Sequence, residues 1–229
     1  VRRKSLIVLS LALALVFAQS CKSHPEQNLL SRYFNAISLN DTTTMSTMAV
    51  DPIKIDAASW KIVSVSEETI EPAGLAEIAA RETDLKKQQD GNVPKVLDAK
   101  DALDIAKDDY TVARTAAAKA AAKAKMDAAQ AKYDEEYASH QEIIRQYNEA
   151  KAAAEKEEQI TSFSLGAGQL PNIRELKGDV HSKDVQIEVK TKAGETVNYK
   201  IWMKMYQLRD EAANVNHRGR WVITKIEQI

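Results

Sequence analysis

Residues 95–165 contain neither glycine nor proline and are dominated by Ala, Lys, Glu, Asp and Gln. The best helix formers thus run on without the two strongest breakers, so this stretch has little choice but to be helical. Val96, Ala99, Leu103, Ala106, Tyr110, Ala113, Ala117, Ala120 and Ala124 recur in alternating steps of three and four, the spacing of a coiled-coil seam. A second register holds Met126, Ala129, Tyr133, Tyr137, His140, Ile144, Tyr147 and Ala154, and the phase jump near Lys125 marks a stutter or a turn. One unbroken helix from Val96 to Ile160 would be roughly 100 Å long. Strand-like segments on both sides require its ends to return to one domain, which favours a helical hairpin spanning residues 73–160. Gly91-Asn92-Val93-Pro94 is a turn by composition but leaves unequal arms. A turn within Ala116 to Ala129 balances them but bends the best helix formers. An alanine seam lets two helices approach closely while burying little area, so the hairpin is expected to be weakly stable alone.

The flanks use a different vocabulary. Leu29, Leu30, Tyr33, Phe34 and Ile37 fall at helical spacing, Asn40-Asp41 closes that run, and Asp41 is placed to cap a second helical stretch through Met45 and Met48. Trp60 to Ser66 is β-branched and partly alternating, as a strand is. Val185, Ile187 and Val189 alternate with polar residues, Lys192-Ala193-Gly194-Glu195 turns, and Val197, Tyr199, Ile201, Met203 and Met205 follow. That pattern is a β-hairpin with one apolar face. Trp221 to Glu227 reads as a last strand. The expected fold class is therefore α+β: N-terminal helices, a curved antiparallel sheet and a long Ala-rich helical hairpin or coiled-coil insertion. The expected divisions are 1–20, 21–72 as the first part of the α+β domain, 73–160 as the insertion, and 161–229 as the sheet that completes it.

The segment Leu30-Ser31-Arg32-Tyr33-Phe34-Asn35-Ala36-Ile37 with Asn40-Asp41, the Trp60 strand and Gly219 to Ile226 together resemble the nuclear-transport-factor-2-like α+β cone. The resemblance implies a cavity between the first helix and the curved sheet, which relatives fill, load with a ligand or use for catalysis. Tyr33, Phe34, Tyr199 and Trp202 are the candidate lining residues of such a cavity.

Arg2, Arg3 and Lys4 precede an apolar run from Leu6 to Phe17 that is too short to cross a bilayer as a helix. Residues 1–20 have the order of a secretory signal peptide. Cys21, the single cysteine, follows at once, and Ser20-Cys21 resembles the lipobox of bacterial lipoproteins, with Ala18 and Gln19 departing from its usual residues. That resemblance implies lipid attachment at Cys21, export, and residence at the periplasmic face of a bacterial membrane. Lys22 is compatible with passage to the outer one. Ala18-Gln19-Ser20 is also an ordinary small-residue cleavage site, which would release a soluble protein with a free thiol. From Cys21 onward the chain has 29 basic and 33 acidic residues, because three basic residues and no acidic ones precede it. With one cysteine no internal disulfide can form, so stability rests on burial.

A net charge of −1 gives no electrostatic reason to expect nucleic acid as a partner. Lys200, Lys204, Arg209, Arg218, Arg220 and Lys225 crowd the last third, but acidic residues are interleaved and no RNA-binding aromatic motif accompanies them, so a solvated sheet face is the better account. Asp51, Asp56, His181 and His217 are the residues an enzyme would use inside a cone, and they match no catalytic motif. The four histidines His24, His140, His181 and His217 are scattered without cysteine partners, so neither a metal site nor a cofactor is expected. Tyr133, Tyr137 and Tyr147 sit at helical spacing and are candidate partner-binding residues, or pack within the hairpin. The function expected is a lipid-anchored cell-envelope interaction or scaffold protein that uses a protruding helical arm, without catalysis. It would bind an envelope protein or a second copy through the arm. The alternative is a periplasmic small-ligand-binding cone with the arm as lid or spacer.

Overall fold

The computed structural model describes residues 24–166 and 170–229. It is an α+β protein with one curled antiparallel sheet and two long helices. In chain order the elements are α1 (Pro25–Ser38), α2 (Thr42–Ser46), β1 (Ser59–Val65), β2 (Thr69–Pro72), α3 (Leu75–Val112), α4 (Ala116–Leu165), a 3-10 turn (Ile173–Glu175), β3 (Lys177–Lys190), β4 (Thr196–Asp210), β5 (Val215–Arg218) and β6 (Val222–Gln228). The sheet order is β1-β3-β4-β5, with β2 also on β3 and β6 also on β4. The described residues fall into two compact units, one of residues 24–69, 182–205 and 221–229, the other of residues 70–166, 170–181 and 206–220.

In the first unit, the apolar face of α1 anticipated from its spacing is buried: Leu30 and Tyr33 are fully enclosed, with Leu29, Phe34 and Ala36 beside them. Asn40 adopts a left-handed backbone at φ 55°, which the short Asn side chain tolerates, and ends the helix. The Asp41 carboxylate then accepts from the Thr44 backbone N–H at 3.0 Å and starts α2. On the sheet, Val185, Ile187 and Val189 of β3 and Ile201 and Met203 of β4 point to the same core. β1 runs antiparallel to β3 from Ser59 opposite Lys190 to Val65 opposite Val185, with an irregularity between Ile62 and Ser64. Val50 N–H bonds Ile223 C=O, and Ile223 N–H bonds Met48 C=O, both at 2.9 Å, which ties the segment after α2 to β6.

In the second unit, α3 and α4 form an antiparallel coiled coil. Burial on α3 follows Leu75, Ile78, Glu82, Leu85, Gln89, Asn92, Val96, Ala99, Leu103, Ala106, Tyr110 and Ala113, an unbroken alternation of three and four. On α4 the same alternation runs from Ala122 through Met126, Ala129, Tyr133, Glu136, His140, Ile143, Tyr147, Ala150, Ala154, Glu157 and Thr161 to Ser164. Asn92 Oδ1 meets His140 Nδ1 at 3.1 Å, which sets the register between the two helices. Counting outward from that contact places Ala99 opposite Tyr133, Ala106 opposite Met126, Leu103 opposite Ala129 and Tyr110 opposite Ala122. In these four layers the larger side chain faces an alanine, which lets the helices approach closely.

Two expectations about the hairpin need correction. Gly91 and Pro94 lie inside α3, not in a turn. Pro94 is exposed, so the hydrogen bond it removes leaves an acceptor within reach of water, and the seam on the other face carries the helix through. The turn is Ala113-Arg114-Thr115, where the backbone becomes extended, and the Thr115 hydroxyl accepts from Ala118 N–H at 3.2 Å to start α4. The phase break therefore comes before Ala116. Ala117, Ala120 and Ala124, expected to continue the first seam, face solvent on α4. Helix α4 also continues beyond Ile160 to Leu165, where Gly166 closes it in the left-handed region at φ 61°.

The end of α4 is fixed by an interlocked set of bonds. Ser164 C=O accepts from Arg220 N–H at 2.8 Å, and Ser164 Oγ donates to Arg220 C=O at 2.7 Å. Gly219 N–H bonds Tyr206 C=O at 2.7 Å. A Cβ on Gly219 would fall 2.4 Å from Ser164 Oγ and 2.8 Å from Tyr206 O, so only glycine fits there. Gly219→Ala is therefore expected to cost about 2 kcal/mol through overpacking. Gly91→Ala, which meets nothing within 4 Å inside a helix, should instead stabilise the protein by about 0.5–1 kcal/mol. Thermal melting followed by circular dichroism reads both signs.

Candidate functional site

A cleft with a volume of about 570 Å³ lies in the second unit. Ala76, Ala79, Ala80 and Thr83 are on one face of α3 because their spacing is three, one and three, and these small side chains leave the hollow. Tyr147 of α4 forms one wall, with Lys86 Nζ 5.8 Å from its ring centroid. Lys86 also bonds Asp90 Oδ1 at 2.8 Å, and that bond raises its pKa. Arg174 of the 3-10 turn closes another side. Its Nε donates to Glu158 at 2.7 Å and its Nη1 to Glu82 at 2.8 Å. The Glu158 bond foremost raises the Arg174 pKa and keeps the guanidinium charged. With two carboxylates already on Arg174, the cleft offers an apolar floor, an aromatic wall and a rim of both signs. These groups supply contact area and orientation rather than a nucleophile paired with a base.

Of the three tyrosines read as a partner stripe, the structure does not make one surface. Tyr133 and Tyr147 belong to the seam facing α3. Tyr137 lies beside the seam, 46% exposed, and stacks on Tyr133 with centroids 5.8 Å apart. The seam takes Glu136 and Ile143 at the positions expected for Tyr137 and Ile144, because the alternation on α4 is offset by one residue there.

The four candidate cavity residues also separate. Tyr33 is fully buried, its hydroxyl donating to Ile53 C=O and accepting from Ile53 N–H, both at 2.9 Å, and burial raises its pKa. Phe34 stacks on Trp60 at 4.8 Å, and Tyr199 packs against the same core. Trp202 is on the opposite face of β4 from Ile201 and Met203, where the ammonium groups of Lys200 and Lys225 lie 4.7 and 4.8 Å from its ring. An alternating strand cannot aim Trp202 and Tyr199 into one cavity, since their separation is odd.

The remaining candidates are dispersed. Asp51 is exposed, Asp56 pairs with Lys192 at 3.7 Å, and His181 and His217 are half-buried on β3 and β5. Lys200 pairs with Asp184 at 2.7 Å and Lys225 with Glu227 at 2.5 Å, so these cations belong to a paired, solvated sheet face. Cys21 and the segment 1–20 read as a signal peptide lie outside the described residues. Among the described residues, no group of three or more metal-ligating side chains gathers, and no helix is long and apolar enough to cross a membrane. No family model, curated protein or solved structure matches the chain.

One charged niche escaped the sequence. Glu26, 4% exposed near the start of α1, has Lys183 Nζ 3.6 Å from Oε2 and His24 Nδ1 3.0 Å from Oε1. Lys183 also pairs with Glu68 at 3.2 Å and lies over the Trp221 ring. Burial would raise the Glu26 pKa. Its own backbone N–H, His24 and Lys183 together outweigh burial and hold it below the usual value of 4.5. No local pattern announces a pair 157 positions apart in the chain.

Because the folded Glu26 pKa is the lower one, the stability it contributes is full above the ordinary carboxylate value and is lost as pH falls through the folded value. Glu26→Gln should flatten the dependence of stability on pH between about pH 5 and 3. Lys183→Met, which strands a buried carboxylate, should cost about 3 kcal/mol at neutral pH. Urea titrations at several pH values check both.

Proposed function

We propose that the protein is a lipid-anchored interaction or scaffold protein of the bacterial cell envelope, in which the α3–α4 hairpin is the binding element. The observation that carries this reading is the hairpin itself. Helices of 38 and 50 residues with a continuous seam form an extended surface, and the cleft at Tyr147 gives that surface a defined hollow. The lipobox-like Ser20-Cys21 after an apolar segment supports export and lipid attachment at Cys21. Three acyl chains, at roughly 0.8 kcal/mol for each buried methylene, would make that attachment durable. The kinship of the first unit to the nuclear-transport-factor-2-like cone belongs to the same proposal and rests on its helix order and Trp221 strand. A small ligand inside the first unit has less support, because Tyr33, Phe34, Met45 and Met203 fill the core that such a ligand would occupy.

Two measurements test the proposal. Cys21→Ser should move the protein from the membrane fraction to the soluble periplasm and abolish incorporation of a labelled fatty acid. In-cell crosslinking with mass spectrometry should compare the full chain with a variant whose residues 96–136 are replaced by a short turn, leaving the Asn92–His140 layer and the Tyr147 cleft intact. Partners lost by that variant, or by Tyr147→Ala in the full chain, are the expected result. Partners unaffected by both changes would overturn the hairpin as the binding element.

A further inference from the structure

The outward faces of α3 and α4 differ in a complementary way. On α3, Val93, Leu97, Ile105 and Val112 are 41%, 54%, 64% and 71% exposed. At 100° per residue they share an arc of about 120° on the side away from the seam, over a length of roughly 28 Å. These are four of the five large apolar side chains exposed on the hairpin, so they form a one-sided stripe rather than a scatter. Asp101, Asp104 and Asp108 lie in the same arc. Between residues 98 and 109, five aspartates face two lysines, a net charge of −3.

On α4, Ala117, Ala120, Ala121, Ala124, Ala128 and Ala131 are all exposed and share an arc of about 100° opposite the seam. Lys125 and Lys132 flank it. From residue 116 to 132, four lysines face one aspartate, a net charge of +3. The ion pairs within the hairpin all join residues of one helix, three or four positions apart. Asp98, Asp101, Asp108, Asp109, Lys119 and Lys125 form no ion pair among the described residues. Among the described residues no ion pair joins the acidic stretch of α3 to the basic stretch of α4.

We propose that the occupant of the α3 stripe is the outward face of α4 from a second copy of this chain. The pairing repeats an arrangement found in four layers inside the hairpin, large side chains against alanines, and adds acidic against basic charge. Because one face of α3 meets a different face of α4, the contact is heterologous: each copy retains one unsatisfied α3 stripe or α4 face, so association extends beyond a dimer unless the copies close into a ring. The inference rests on the hairpin being the binding element and names its partner.

Sedimentation velocity on the exported form carrying Cys21→Ser tests it, across the micromolar to sub-millimolar range and at two salt concentrations. The expected result is a mass that rises with concentration and falls with added salt. Ile105→Lys should weaken association at least tenfold while leaving helical circular dichroism and melting unchanged. Asp101→Lys and Lys125→Glu should each weaken it, and the double variant should recover it. A single-chain mass at every concentration, association indifferent to these substitutions, or a double variant that fails to recover would each overturn the proposal. Hairpin-dependent partners in the crosslinking experiment alongside a monomeric protein would overturn the self-association alone and leave the hairpin as the binding element.

Discussion

Asn92 and His140 meet in the middle of a seam that is otherwise mostly alanine, tyrosine and aliphatic, and the rest of the second unit depends on that register. An alanine-rich interface has weak shape preferences, so sliding one helix by a turn would cost little in buried area alone. A polar pair with one bonding partner each changes that, because a slip leaves a buried amide and an imidazole unsatisfied. With Asn92 fixed opposite His140, Tyr133, Met126, Leu103 and Tyr110 each find an alanine across the seam. The same register carries Tyr147 to Lys86 and opens the cleft between them.

The base of the hairpin is held by a different chemistry. Tyr206 is fully buried and its hydroxyl donates to Glu157 Oε1 at 2.5 Å. Burial, and then that carboxylate, push its pKa far above the ordinary phenol range. Thr161 and Ser164 continue the seam as small polar residues whose hydroxyls bond backbone carbonyls. The apolar coiled coil thus grades into a hydrogen-bonded joint, which explains why α4 runs on through residues of modest helix propensity before Gly166 stops it. Arg174, clasped by Glu82 and Glu158, ties the 3-10 turn to both helices.

The first unit reached its structure by ordinary means, and most of it was legible. The spacing of Leu29, Leu30, Tyr33 and Phe34, the cap at Asp41, the alternation on β3 and β4 and the turn at Gly194 are local signals, and elements formed at each of them, although α2 ends at Ser46 and does not reach Met48. The candidate site was far less legible. Tyr147 was singled out by its spacing, but Lys86 and Arg174 reach the same hollow from segments whose local patterns say nothing of each other. Glu26 and Lys183 are joined only because α1 lies on β3. Tyr33 and Trp202, grouped as aromatic neighbours by resemblance, are separated because Trp202 lies on the face of β4 away from Ile201 and Met203.

Composition and periodicity by themselves determined that this chain is α+β, that its middle is helical, and that the helices pair through an alanine seam, because these follow from propensity and from which face of each element is apolar. Tertiary structure alone decided where the hairpin turns. Gly91 and Pro94 were overruled as breakers because the seam on their inner side supports the helix and their outer side is open to water. Thr115 prevailed among alanines because it supplies a cap at the place where the register of Asn92 with His140 requires the chain to reverse. Local preference sets which conformations are cheap, and contacts between residues far apart in the chain choose among them.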